Sequence, residues 1–224
     1  MKTQLGIIIN RAKEIYRNDG LIPLLKNIFT SLISFEISSF YIYERTLIRG
    51  KESDFMPKIQ NVTHKIVEIK QQLDELLNGG FDLSLLDITQ AQRRLKKGAI
   101  ASLIFIEREL ATTHWVALSE ESKNTLNAYP YKVNFSNNEA CAGGVWTNPK
   151  YRGQGLNIYS AYKKDEFLKE KGVTKQRLIV SSTNIAGQGA TTKHGSRLLA
   201  KARYIKVFGL QFWKETQIES TNND

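Results

Sequence analysis

The feature that most constrains the fold is a turn with two closely spaced glycines in residues 147–157. An apolar run of small residues precedes this turn, and a helical pattern over residues 159–171 follows it. A strand, a glycine turn and a helix in this order place free backbone N–H groups at the positive end of a helix dipole. Gly153 and Gly155 lack a Cβ and Arg152 adds donors, so the turn predicts a phosphate site. Glycines that serve packing alone are the open alternative.

The composition is that of a basic globular protein, and the single cysteine indicates a reducing environment. The chain has 224 residues, enough for one domain with an appendage, and a formal charge of +10. Residues 150–215 carry a charge excess as large as that of the whole chain, which fits a ligand with several phosphates. One cysteine, Cys141, and three scattered histidines indicate neither a disulfide framework nor a metal site. With no evident signal peptide, we expect a cytoplasmic protein.

The first fifty residues read as a helical, aromatic-rich appendage. The uncharged run 27–35 is shorter than the roughly 20 residues of a membrane-spanning helix. Three interpretations of residues 21–47 stay open: packing against the main domain, a dimer contact, or peripheral binding at the inner face of a membrane.

The rest of the chain changes from helical to strand periodicity near residue 99. The spacing of apolar residues and the positions of glycine and other turn residues predict helices first and then four successive strands. The fourth strand is followed by the glycine loop, a helix, a strand, a helix and a hairpin. The predicted helices are 58–78, 87–97, 159–171 and the segment from Asn184 to Gly195; the predicted strands are 99–106, 110–118, 129–135, 139–147, 177–182, 196–206 and 208–215. The tail 216–224 reads as disordered.

The glycine turn resembles a known cofactor loop. The string Pro-Lys-Tyr-Arg-Gly-Gln-Gly-Leu at 149–156 resembles the acetyl-CoA pyrophosphate loop of the GCN5-related N-acetyltransferase (GNAT) superfamily, Gln/Arg-x-x-Gly-x-Gly/Ala. Arg152 and Gly155 fill the first two fixed positions, and Asn157 departs from the last. Asparagine tolerates unusual backbone angles better than most residues, so the loop can still form.

A second pattern of the same family lies about thirty residues further on. Asn184, Lys193 and Gly195 match in register, with Gly187 at a position for a small residue. Thr191 stands where the family often has a tyrosine. The resemblance covers residues 58–215 and implies an α/β (α+β) fold, in which helices flank a mixed, mostly antiparallel sheet. An extra N-terminal helical segment lies outside it.

The resemblance also implies the site residues. The loop residues Arg152, Gly153, Gln154, Gly155, Leu156 and Asn157 would bind the pyrophosphate of the cofactor, and Val145, Thr147 and Asn184 its pantetheine arm and acetyl group. The backbone N–H of Val145 would face the acetyl carbonyl and stabilise the oxyanion.

The acid and base follow less directly from the sequence. Glu107, Glu109, His114 and Glu139 lie in or near the strands, and each also reads as an ordinary surface group. His114 and Glu139 are the candidates carried forward, with His114 first because its ordinary pKa lies near neutral.

Two main functions remain. The first is direct transfer of an acyl group, by default acetyl from acetyl-CoA, to a small-molecule amine. The second is a catalytically weak or inactive module of the same fold that binds a membrane or a protein partner. Nucleic-acid binding rests on charge alone, so we expect no nucleic-acid partner.

Overall fold

The computed structural model describes residues 35–207 and 209–218. These residues form one eight-stranded sheet in the order β2-β3-β4-β5-β6-β1-β7-β8, with five α-helices. The strands are β1 Phe35–Thr46, β2 Val62–Val67, β3 Ala99–Ile106, β4 Glu109–Ala117, β5 Glu139–Thr147, β6 Lys175–Ser181, β7 Arg197–Val207 and β8 Leu210–Gln217. The helices are α1 Lys70–Asn78, α2 Ile88–Lys96, α3 Glu120–Leu126, α4 Leu156–Glu170 and α5 Ile185–Lys193.

Strand direction confirms the predicted mixed, mostly antiparallel sheet. Every neighbouring pair is antiparallel except β5 and β6, which run parallel. A parallel pair needs a crossover, and α4 supplies it between β5 and β6. The glycine turn therefore lies where the chain leaves a central strand and enters the crossover helix.

The core lies on both faces of the central strands. Every residue of β3 is buried, as expected of an apolar run covered on both sides. On one face Trp115 packs against Leu73 of α1 and Leu95 of α2. On the other face α4 packs through Leu156 and Leu168. The side chain of Asp87 accepts a hydrogen bond from the backbone N–H of Gln90, which explains the start of α2.

The prediction of a helical appendage over residues 1–50 is wrong for residues 35–46. This segment is β1, which lies inside the sheet between β6 and β7. Phe40 and Ile42 face one side of the sheet, and Tyr41 and Tyr43 face the other. Because apolar or aromatic residues occupy both faces, the sequence lacks the apolar–polar alternation by which a strand is recognised. Residues 1–34, with the rest of that prediction and of the proposed 21–47 contact, lie outside the described residues.

Three further boundaries differ from prediction. Residues 62–67, within the predicted first helix, form β2, and the helix begins only at Lys70. Residues 129–135 form no strand; their alternation arises because an irregular segment buries Tyr131 and Val133 in the core. Thr216 and Gln217 pair within β8 rather than starting a tail, and residues 219–224 lie outside the described range. In the described part of the chain, no helix is both long and apolar enough to cross a membrane.

Candidate functional site

A cleft opens between the two parallel strands. β5 and β6 pair at only three positions, from Glu139 opposite Lys175 to Cys141 opposite Arg177. β5 then continues to Thr147 with no described strand paired on that side. The carboxyl ends of two parallel strands therefore diverge, and such divergence is a common place for a ligand to bind.

A bulge in β5 lies beside this cleft. Thr113 of β4 faces Trp146 and Trp115 faces Gly143, so Gly144 and Val145 have no partner residue across the ladder. Gly144 has φ 57°, and a Cβ there would lie 2.8 Å from Cδ1 of Trp115, so this position requires glycine. Val145 is 52% exposed. The extra residue of a bulge has no counterpart in the ladder, and the local disruption re-aims its backbone and side chain.

The glycine turn closes the same end of β5. Asn148 accepts a hydrogen bond from the backbone N–H of Lys150 at 3.0 Å, which fixes the start of the turn. Gly153 has φ 78° and Gly155 has φ 83°, and α4 begins at the next residue. A Cβ on Gly153 would meet no atom within 4 Å, so that side of the turn is open. The N-terminus of α4 therefore follows directly on an open part of the turn.

Arg152 lies exposed on this turn. Its Nε donates to the backbone carbonyl of Thr147 at 3.3 Å, which ties the turn to the end of β5. The hydroxyl of Thr147 in turn lies 2.9 Å from that of Thr112 on β4. The terminal guanidinium nitrogens of Arg152 form no hydrogen bond or salt bridge with a described residue, and its role in anion binding stays a prediction.

Residues 52–58, which lie between β1 and β2, brace the turn. The backbone N–H of Lys58 donates to the carbonyl of Gln154 at 2.9 Å, and a Cβ on Gly155 would lie 3.5 Å from Cα of Pro57. The hydroxyl of Tyr159 donates to Glu52 at 2.7 Å. No sequence signal could reveal this brace, because it depends on tertiary contacts between residues about a hundred positions apart.

His114 lies under α4, opposite the bulge. It is 3% exposed, and burial lowers its pKa well below 6.5, with a contribution from the positive charge of Lys164 and an opposing one from the Asn157 amide. Its Nε2 has no hydrogen-bond partner among the described residues. The structure therefore places His114 next to Asn157 on the predicted cofactor loop, as a neutral ring.

Glu139 lies at the other end of β5 from the glycine turn. One carboxylate oxygen contacts Nε of Arg177 at 2.9 Å and accepts from the backbone N–H of Asn134 at 2.8 Å. The structure thus does not bring Glu139 together with Val145, and it uses this carboxylate in an ion pair.

Asn184 lies just after β6, which forms the other wall of the cleft. Its side-chain oxygen accepts from the backbone N–H of Gly187 at 2.9 Å and caps α5. Thr191 is the buried residue of that helix. The two matched motifs therefore lie at the ends of the two diverging strands.

A buried polar cluster lies beneath α4 and was not predicted. Asp165 contacts the guanidinium of Arg45 at 2.8 and 3.1 Å, and it also accepts from Gln176 at 2.6 Å and from the backbone N–H of Ile48 at 2.8 Å. Lys164 donates to Gln176 at 2.6 Å, and burial lowers its pKa to about 8. The cluster joins β1, α4 and β6 at the closed end of the cleft.

Because burial lowers the pKa of all three histidine rings, we expect the folded chain to lose stability as pH falls. Burial lowers the pKa of His64 and His194 to about 4, and that of His114 well below 6.5. In the unfolded chain these rings titrate near 6.5, so below that pH the unfolded state binds more protons and is favoured. Each ring should cost about 1 kcal/mol between pH 7 and 5.5.

Urea unfolding at these two pH values measures the effect, with His64→Gln expected to remove about a third of the decrease. A wild-type free energy of unfolding that does not change over this range would contradict the prediction.

Comparison with proteins of known structure identifies the fold of the chain. No family model matches the chain, and no curated protein matches it. Two solved structures each superpose with a TM-score of 0.50. One is a tandem GNAT protein from the clavulanic acid biosynthesis pathway, at 12% identity, with 83% of this chain and 55% of that one covered. The other is a GCN5-related glucosamine N-acetyltransferase region of a fungal multi-domain GH3 β-N-acetylglucosaminidase, at 15% identity, with 87% and 23% covered.

The chain has the GNAT fold. It spans about half the length of the tandem protein and about a quarter of the fungal one. The β5–turn–α4–β6 unit described above lies within this fold.

Proposed function

We propose that the chain is an N-acyltransferase that takes the acyl group, acetyl by default, from acyl-CoA and transfers it to a small-molecule amine. One observation carries the proposal. A single strand, β5, has a bulged, half-exposed residue without a register partner beside an open cleft, and it ends in a turn with two left-handed glycines at a helix N-terminus. A thioester linked to a diphosphate needs these two features at the two ends of one groove.

The groups of the site have separate tasks in the proposed reaction. The N–H groups of residues 153–157 and the side chain of Arg152 bind the diphosphate. Thr147 and Asn184 line the two walls along which the pantetheine arm extends. The N–H of Val145 donates to the thioester oxygen, and the donation strengthens as that oxygen gains negative charge.

The chemistry is a direct transfer. The amine nitrogen bonds to the thioester carbon, the carbon–sulfur bond breaks, and the amine loses a proton while the thiolate gains one. His114 lies opposite the bulge whereas Glu139 lies at the far end of β5, so we assign to the neutral His114 ring the role of accepting the proton, directly or through water. Thr191 has a hydroxyl that is a poor acid, so we assign protonation of the thiolate to water.

The first acceptors to test come from a structure of the same fold. One structure of this fold carries the description of a glucosamine N-acetyltransferase. Amino sugars are therefore the first amines to test, followed by amino-acid derivatives. A cytoplasmic location, where acyl-CoA is available, completes the proposal.

A catalytically weak module of the same fold is the second candidate. The lowered pKa of His114 makes it a weak base, and Thr191 replaces the tyrosine of the family pattern. Such a module would bind acyl-CoA weakly or not at all, which calorimetry distinguishes.

Titration calorimetry with acetyl-CoA tests the proposal. We expect micromolar binding by the wild type, and roughly tenfold weaker binding by Arg152→Ala, which removes a charged donor. Gly155→Ala should weaken binding by a similar factor, because φ 83° strains any residue with a Cβ.

Gly172→Ala is the matched control. Gly172 has φ 78° and open space around its missing Cβ, but it lies after the far end of α4. It should carry the same strain and leave binding unchanged. Wild-type protein that binds neither acetyl-CoA nor longer acyl-CoAs would overturn the proposal.

A further inference from the structure

An apolar surface that no other described residue covers lies at one end of the sheet, far along the strand order from β5. The registers place Phe35 beside Val207 and Leu210, and Ile37 beside Ile205 and Phe212. Paired residues on adjacent strands point to the same face, so these six side chains form two rows of three. We call this set the apolar grid. Phe35 is 67% exposed and Phe212 is 56% exposed.

Basic side chains continue the same face of the sheet. Two residues beyond the grid on each strand, Arg203 of β7 lies between Ser39 of β1 and Lys214 of β8. A further two residues along, Lys201 of β7 pairs with Tyr41 of β1. Arg203, Lys214 and Lys201 are exposed, and none of them forms a salt bridge with a described acidic residue. These three cations, called the basic row, line a hollow of about 330 Å³.

Acidic side chains of these strands lie on the opposite face. Because side chains alternate along a strand, Glu36, Glu44 and Glu215 point away from the grid and the row. The apolar grid and the basic row together hold six apolar and three basic side chains, and no acidic side chain of β1, β7 or β8 lies on their face.

We propose that this face binds the surface of an anionic membrane. The apolar grid would enter the boundary between headgroups and acyl chains, and the basic row would bind lipid phosphates in the hollow. An exposed apolar patch marks an interaction surface, and the neighbouring cations select a negatively charged partner. The chain before Phe35 is also apolar, with an uncharged run at 27–35, so the two apolar segments are continuous. This inference does not depend on acyl transfer.

Vesicle flotation of the full chain tests it. We expect binding to phosphatidylcholine vesicles that contain phosphatidylglycerol, and none to pure phosphatidylcholine. The double variant Phe35→Ser/Phe212→Ser and the single variant Lys214→Glu should each weaken binding by about tenfold or more.

Matched controls separate the face from general effects. Leu85→Ser/Ile185→Ser changes two residues that are also exposed, at 51% and 73%, but lie elsewhere. Lys206→Glu makes the same charge change on the opposite face of β7. Both controls should float as the wild type does.

Three results would overturn the proposal. The first is a wild type that does not float with anionic vesicles. The second is a dimer, seen by light scattering, that the double variant dissociates while flotation is absent, which would assign the face to a second copy. The third is a wild type that does not float together with a double variant that melts at a lower temperature, which would assign the grid to a contact within the chain.

Discussion

Replacing Asp165 by asparagine should lower the free energy of unfolding by about 3–5 kcal/mol. The carboxylate is fully buried and accepts from Arg45, Gln176 and the backbone of Ile48. Without its charge, Arg45 and Lys164 remain as buried cations with no other salt-bridge partner among the described residues. Removing one partner of a buried pair costs far more than the pair contributes, because the remaining charge has lost its hydration.

The neighbouring residue on the same helix provides the control. Glu166 pairs with Lys169 at the surface, and Glu166→Gln should change the free energy of unfolding by less than about 1 kcal/mol. Urea unfolding at pH 7 compares the two variants. Adding Arg45→Met to Asp165→Asn should recover part of the loss, since it removes one uncompensated charge. A loss below about 1 kcal/mol for Asp165→Asn would show that the cluster does not hold β1 to α4.

The glycine turn could be predicted because its information is local. A left-handed residue needs glycine, an N-terminal helix turn needs free N–H groups, and both requirements fall within residues 147–157. The two apolar strands β3 and β4 and the capped helix α2 were likewise readable, since burial and capping leave marks on neighbouring residues. These elements position the cleft, so the fold and the glycine turn followed from short stretches of sequence.

The position of β1 could not be predicted, because it depends on which strands it pairs with. Residues 35–46 pair with β6 and β7, more than a hundred positions away. Glu139 illustrates the same limit for a site residue. A carboxylate near a strand has the chemistry of a base, but only the contact with Arg177 shows that it is already engaged. The charges of Lys164 and Asp165 likewise gave no sign of burial, since adjacent Lys and Asp are typical of an exposed helix face.

Val145→Pro should reduce the proposed transfer rate by roughly 10²–10³-fold while acetyl-CoA affinity changes little. Proline removes the one backbone N–H to which the proposed function assigns the oxyanion. Val145 lies in the bulge, where no residue of β4 or β6 is its register partner, and bulges are among the positions in a sheet where proline is tolerated. A donor that acts on developing charge affects the chemical step more than ground-state binding.

Val145→Ala is the matched variant, because it keeps the N–H and removes most of an exposed side chain. We expect its rate to stay within a few-fold of the wild type, measured as thiol release at saturating acetyl-CoA with the amine that the acceptor screen selects. Calorimetry on the same preparations reports acetyl-CoA affinity, and melting temperatures report folding. Equal losses in both variants would assign the effect to the side chain. An active Val145→Pro protein would remove the backbone N–H from the mechanism and leave the cleft as a binding site alone.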